Sequence, residues 1–155
     1  MKQHLIDLFK YNDWANGKLL ESVKQLKEQE GSVKLYSHLI LAQDKWYNRI
    51  AKEKEDSSLA WMTPVISLND LEIMWHESIR VWIELIGSKS EAELYEDVVF
   101  NRASDGKRMG IKLMDLALQL NYHSIHHRAQ INRLISEQGL TPPSTDYIYT
   151  KLKEL

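Results

Sequence analysis

Apolar residues recur with the period of an α-helix along most of this chain, about every 3.6 positions. The first amphipathic segment runs from the N-terminus to a break at residues 27–31, and its apolar stripe consists of Leu5, Leu8, Phe9, Leu19, Leu20, Val23 and Leu26. A second segment follows Gly31, with Ser32 as its predicted N-cap. Its stripe consists of Leu35, Leu39, Ala42, Trp46 and Ile50.

Two further amphipathic segments follow. The third begins with Ser67 and Asp70, which are spaced as in a capping box, and ends at Gly87. Its predicted inner face consists of Leu71, Met74, Trp75, Ser78, Trp82, Leu85 and Ile86. The fourth extends from about Ile111 to Gln138. Four long amphipathic helices predict an all-α protein, a four-helix bundle.

The connecting segments have weaker patterns. Residues 59–67 contain Pro64 and are predicted to form a loop. Residues 91–109 lose the helical period, and their Val98–Phe100 run and Asp105–Gly106 pair suit either a small hairpin or an extended crossover. A short C-terminal helix is expected at about residues 145–152. Since no linker divides the chain, we expect residues 1–155 to form a single domain.

Composition narrows the class of protein. The chain has 155 residues, of which 43% are hydrophobic, which suffices for one core. Its formal net charge of −2 disfavours nucleic-acid binding. The N-terminus carries His4 and Asp7 where a signal peptide would be apolar, and no apolar run is long enough for a membrane span, so we expect a cytoplasmic protein without membrane contact.

Three of the six histidines lie within five residues in the fourth helix. On a helical wheel of about 100° per residue with Leu113 at zero, His127 lies at about −40° and His123 at about −80°. His126 lies near about −140° and faces outward. His123 and His127 therefore face the bundle, one turn apart, where two imidazoles can bind a single ion.

Two imidazoles that face an apolar interior need hydrogen-bond partners or a metal ion. Water, a carboxylate or the partner imidazole could serve, so the pair alone leaves both interpretations open. His38 lies at the edge of the second stripe and is the candidate third ligand, whereas His76 points away from the core. Because cysteine is absent, any metal must have nitrogen and oxygen ligands, which suit Zn, Ni or Fe.

Several polar residues accompany these histidines. Asn12 and Asn16 lie on the buried side of the first helix, either as ordinary core residues or as support for a polar site, and they require hydrogen-bond partners. We expect Arg128 and Gln130 to make surface contacts rather than to position substrate. Ser124 is interpreted as a small residue that permits close helix packing, not as a nucleophile.

Four motifs spread over nearly the whole chain carry a family resemblance. They are YNDWAN at residues 11–16, HLILAQDKWYNRI at 38–50, NYHSIHHRAQ at 121–130 and GLTPP at 139–143. In this order they resemble the DinB/YfiT-like metalloenzymes. The last helical motif departs from that family in having Ala129 where Gly is frequent before Gln130.

The resemblance implies a four-helix bundle with a long crossover connection, frequently assembled as a homodimer. It also implies a divalent transition metal bound by one histidine of the second helix and two of the fourth, which correspond to His38, His123 and His127. Some members transfer low-molecular-weight thiols. We therefore expect a metal-dependent thiol S-transferase that acts on a small-molecule substrate, with a metal-dependent hydrolase or a non-catalytic metal-binding bundle acting in protein association as alternatives.

Overall fold

The computed structural model describes residues 1–51 and 63–154 of the chain. Four long helices dominate it: α1 (Lys2–Val23), α2 (Glu30–Ala51), α3 (Leu68–Ser88) and α4 (Leu113–Glu137). A two-stranded antiparallel sheet of β1 (Asp97–Asn101) and β2 (Arg108–Lys112) lies between α3 and α4 in the sequence. The predicted all-α class and the four-helix bundle are confirmed.

Each of α1 and α2 packs against both α3 and α4. Helix α1 is antiparallel to α3, because Lys2 Nζ donates to the carbonyl of Lys89 while Lys24 near the other end of α1 pairs with Glu72. Helices α2 and α3 run in the same direction, since Tyr36 contacts Trp75 and the residues that follow pair in the same order. The end of α2 and the start of α3 therefore lie at opposite ends of the bundle, as the predicted long crossover requires.

Large side chains from all four helices fill the core. Phe9 stacks on Trp82 with ring centroids 5.7 Å apart, and the Tyr36 and Trp75 rings meet edge to face at 6.3 Å. Ile135 of α4 is also fully buried. Burial of one such side chain contributes about 1.5–3 kcal/mol, so this core fixes the helices against one another and with them the side chains at their interfaces.

The predicted start of α2 was wrong. The helix already begins at Glu30, so Gly31 and Ser32 lie inside its first turn and Ser32 is buried rather than a cap. A Cβ atom at Gly31 would lie 3.3 Å from Leu134 Cδ1 of α4. This glycine therefore permits a close approach of α2 to α4 instead of ending the preceding helix.

Helix α3 begins as predicted, with the Ser67 side chain accepting a hydrogen bond from the backbone N–H of Asp70. The prediction of its inner face was partly wrong, because Met74 is exposed and Ile79 is buried instead. Residues 63–67 of the predicted loop are not helical, while residues 59–62 lie outside the described part of the chain.

The sequence left the conformation of residues 91–109 open, and the structure contains the hairpin alternative. Val99 of β1 pairs with Gly110 of β2, and Gly106 in the connecting turn has a φ of 68°. The predicted C-terminal helix is shorter than expected, a single 3-10 turn at Tyr147–Thr150. In the two described ranges, no helix is long and apolar enough to cross a membrane.

Candidate metal centre

The three predicted ligand residues meet at the interface of α2 and α4. His38 comes from α2, and His123 and His127 come from successive turns of α4. These helices are antiparallel neighbours, since Gly31 near the start of α2 lies against Leu134 near the end of α4. The i, i+4 spacing places both α4 imidazoles on the face that meets His38.

The imidazole nitrogens converge closely. His123 Nε2 lies 3.1 Å from His38 Nε2 and 2.9 Å from His127 Nε2. One ring nitrogen from each of the three histidines lies within 4.8 Å of the others. All three side chains are half-buried, so their nitrogens are partly desolvated yet remain within reach of solvent.

A glutamine fixes the orientation of one of these rings. Gln130 Oε1 lies 2.7 Å from His127 Nδ1, and the amide nitrogen of the same side chain faces His126 Nε2 at 3.4 Å. Because the amide oxygen only accepts, His127 Nδ1 must donate, and in the neutral ring the proton is therefore absent from Nε2. His127 presents a lone pair to the other two histidines, as a metal ligand does.

The donor set fits a divalent transition metal. Two nitrogens that each lie about 2.1 Å from one ion are about 3.0–3.4 Å apart in octahedral or tetrahedral coordination, close to the spacings observed. Within residues 1–51 and 63–154, no carboxylate or further histidine joins this group. Among the described residues, the cluster thus offers three imidazole ligands, fewer than the four or more that such an ion takes up.

Burial lowers the pKa of both α4 imidazoles of the cluster. It is the main cause that lowers the pKa of His123 to about 4, with smaller contributions from His127, His38 and His126. Burial also lowers the pKa of His127, against a smaller opposing effect of the hydrogen bond to Gln130. Neutral imidazoles are the form that binds metal, so this environment favours ligation near neutral pH.

His126 and His76 lie where the sequence predicted. His126 is exposed on α4, with its ring centroid 5.1 Å from that of His127. His76 is exposed on α3, where its Nδ1 lies 2.6 Å from a carboxylate oxygen of Asp13. Neither belongs to the converging group, and the role of His38, His123 and His127 as ligands stays a prediction.

Sequence reasoning missed the environment of Arg128. It was expected at the surface, but only 3% of it is exposed, at the interface of α4 with α1. Its Nη1 donates to Asn12 Oδ1 at 3.1 Å and its Nη2 to the Tyr11 hydroxyl at 2.9 Å. Burial lowers the pKa of Arg128, yet a guanidinium remains charged in proteins.

A hydrogen-bonded network surrounds this arginine. The Asn12 amide nitrogen donates to Asn121 Oδ1, and Asn16 Nδ2 donates to Ser124 Oγ at 2.8 Å. The two asparagines that sequence analysis left open therefore join α1 to α4. Ser124 is a buried acceptor in this network as well as a small packing residue.

Comparison with known proteins places the chain in a family. Neither the curated proteins nor the solved structures contain a match to it. A family model does match, and it covers residues 1–154. Since this match spans nearly the whole chain, the chain belongs to the DinB family.

Proposed function

We propose that this protein is a divalent-metal-dependent enzyme that transfers a low-molecular-weight thiol to an electrophilic small molecule. His38, His123 and His127 are the proposed ligands. The proposal rests above all on the convergence of their ring nitrogens, with 3.1 Å and 2.9 Å between adjacent Nε2 atoms. Family membership and this cluster together fit a metal-binding protein.

The composition of the site favours an external nucleophile. The chain has no cysteine, so it supplies no thiol of its own. A divalent ion on three neutral imidazoles retains its full positive charge and lowers the pKa of a thiol bound to it. Gln130 holds His127 in the tautomer whose Nε2 lone pair can bind a metal ion, and the half-burial of the three rings leaves a bound ion within reach of an external thiol.

The thiol transfer requires neither an oxidant nor a reductant. The thiol gives up its proton to solvent, its sulfur forms a bond to an electrophilic carbon, and the leaving group departs with the electrons of the bond that breaks. The protein contributes by binding and orienting the two reactants. We also propose that the chain is a cytoplasmic homodimer, as the family resemblance implies for its assembly.

The thiol transferase proposal is tested with a panel of thiols. Protein loaded separately with Zn, Ni or Fe is assayed with bacillithiol, mycothiol, glutathione and free cysteine, and with monochlorobimane as electrophile. We expect at least one combination to exceed the rate without protein, and we expect a chelator to abolish the excess. The His126→Ala variant should retain it because His126 lies outside the converging group.

Two results would overturn the proposal. One is a rate no higher than the protein-free rate with every metal and thiol. The other is an excess rate that survives in the His38→Ala, His123→Ala and His127→Ala variants. Hydrolysis of ester or amide substrates by the loaded protein, without any thiol, would replace the transferase proposal with the hydrolase alternative.

A further inference from the structure

Arg128 helps to line a small pocket where α4 meets α1 and the C-terminal segment. The pocket is lined by Tyr11, Arg128, Asn132, Thr145 and Asp146, among others, has a volume of about 150 Å³ and opens to solvent. We call it the Arg128 pocket. It shares no lining residue with the histidine cluster, because Arg128 and Asn132 project toward α1 and the C-terminal segment while His123 and His127 project toward α2.

Among the residues that the structure describes, the positive charge of Arg128 is not paired with an anion. Arg128 donates only to the neutral oxygens of Asn12 and Tyr11, and no carboxylate of the described residues forms an ion pair with it. Asp146 acts on it only as a longer-range favourable charge. A guanidinium carries five N–H donors, of which these bonds use two. The remaining N–H donors of Arg128 suit a carboxylate that accepts two hydrogen bonds.

The same pocket is lined by hydrogen-bond acceptors to which no group of the described residues donates. Asn132 Oδ1 is buried and has no hydrogen-bond partner among the described residues. Asn132 follows Arg128 by four residues, so both side chains leave the same face of α4. Asp146 adds an exposed carboxylate at the pocket. A ligand therefore needs a donor group, best a cationic one, in addition to an anionic group.

We propose that the Arg128 pocket binds a small zwitterion, an α-amino acid of about the size of glycine or alanine. Its carboxylate accepts from the free N–H groups of Arg128, and its ammonium group donates to Asn132 Oδ1 and to Asp146. The small pocket volume of about 150 Å³ suits a ligand of this size. The site is distinct from the proposed metal centre and does not depend on it.

Binding is measured by titrating isotope-labelled full-length protein with glycine and, separately, with acetate and methylammonium. We expect saturable chemical-shift changes from glycine at Asn132 and Asp146, and at least tenfold weaker binding of acetate and methylammonium, since each offers half of the contacts. The titration is repeated with the His123→Ala variant. Unchanged glycine affinity there shows that glycine does not act by chelating an ion at the histidines.

Variants of the exposed acid test the site without disturbing the buried network. Asp146→Asn should weaken glycine binding about tenfold by removing one charge-assisted contact and should leave acetate binding unchanged or tighter. Asp115→Asn, at an exposed aspartate elsewhere on α4, should change neither. Asn132→Leu should also weaken glycine binding.

Three outcomes would overturn the proposal. They are the absence of any saturable change with glycine, equal affinities for glycine and acetate, and a glycine affinity that Asp146→Asn leaves unchanged. Since these variants lie outside the hydrophobic core, a circular dichroism spectrum equal to that of the parent protein establishes that each is folded before the titration.

Discussion

One polar group of residues lies where α4 meets α1 and another where α4 meets α2, and the two groups differ in how their hydrogen-bonding atoms are paired. At the α1/α4 interface, donors of Arg128, Asn12 and Asn16 meet acceptors on the other helix. At the α2/α4 interface, three imidazoles direct ring nitrogens at one another, and His127 is fixed as an acceptor toward the group. Most hydrogen-bonding groups of the first network have partners within the protein. The second group of residues would be stabilised most by a bound cation.

The pairing of hydrogen-bonding atoms within the protein distinguishes structural polar residues from a candidate site more clearly than the burial of their side chains does. Asn12 and Arg128 are almost fully buried, while the three histidines are only half-buried. Matched polar groups stabilise the fold because unpaired ones would be costly, so their loss should lower stability. The ring nitrogens of His123 and His127 lie against those of other histidines in the cluster, so the loss of one of these rings should chiefly affect metal binding.

The largest expected effect is on metal affinity when one ligand is removed. Structural zinc sites bind with about 10–16 kcal/mol over four ligands, so His123→Ala should cost about 3–4 kcal/mol, several hundredfold in affinity or more. Calorimetric titration measures this loss. Urea unfolding of the metal-free variant should give a free energy close to that of the parent, and a large fall there would contradict the contrast between the two interfaces.

Substitution in the matched network should have the opposite effect. Arg128→Met leaves Asn12 Oδ1 and the Tyr11 hydroxyl without their charged donor and should lower the free energy of unfolding by about 2–3 kcal/mol. Metal stoichiometry should be unchanged. Arg133→Met is the matched control, because the Arg133 side chain is 80% exposed and should change stability by less than about 0.5 kcal/mol.

A smaller effect is expected at the residue that orients His127. Gln130→Ala removes the acceptor for His127 Nδ1 and should weaken metal binding about tenfold, or about 1.4 kcal/mol. Gln130→Glu should restore affinity, since a carboxylate also accepts from Nδ1–H. Equal metal affinity of the Gln130→Ala variant and the parent protein would show that this hydrogen bond does not orient His127 for metal binding.

The smallest effect is expected at Asn16. Its amide donates to Ser124 Oγ and to the carbonyl of Asn12, but its Oδ1 is buried and has no hydrogen-bond partner in the described part of the chain. Asn16→Ala loses the two bonds and also removes the unpaired oxygen, so the free energy of unfolding should fall by only about 1 kcal/mol. Urea denaturation distinguishes this from the larger loss expected for Arg128→Met.

The sequence predicted the parts of this structure that one helix determines by itself. The wheel correctly separated His123 and His127 from the exposed His126, and the Ser67 cap followed from its spacing to Asp70. The 3.6-residue period likewise predicted four helices, because each must bury one apolar face. Such features depend on local geometry alone.

Features that depend on a neighbouring helix were harder to predict. The same wheel places Arg128 at about +60°, within the apolar sector, but charged residues are seldom buried, and its partners Asn12 and Tyr11 lie on a distant segment. Gly31 was read as a helix break because its close contact with Leu134 is not visible in sequence. The pairing of His127 with Gln130 had a local signal, their i, i+3 spacing.

The most direct test of the account is anomalous diffraction from crystals of the metal-loaded protein. We predict a single anomalous peak bound by Nε2 of His38, His123 and His127, with each nitrogen about 2.0–2.2 Å from the ion and a further coordination position held by a non-protein group. A peak bound by His126 instead, or no peak between α2 and α4 at full metal loading, would contradict it.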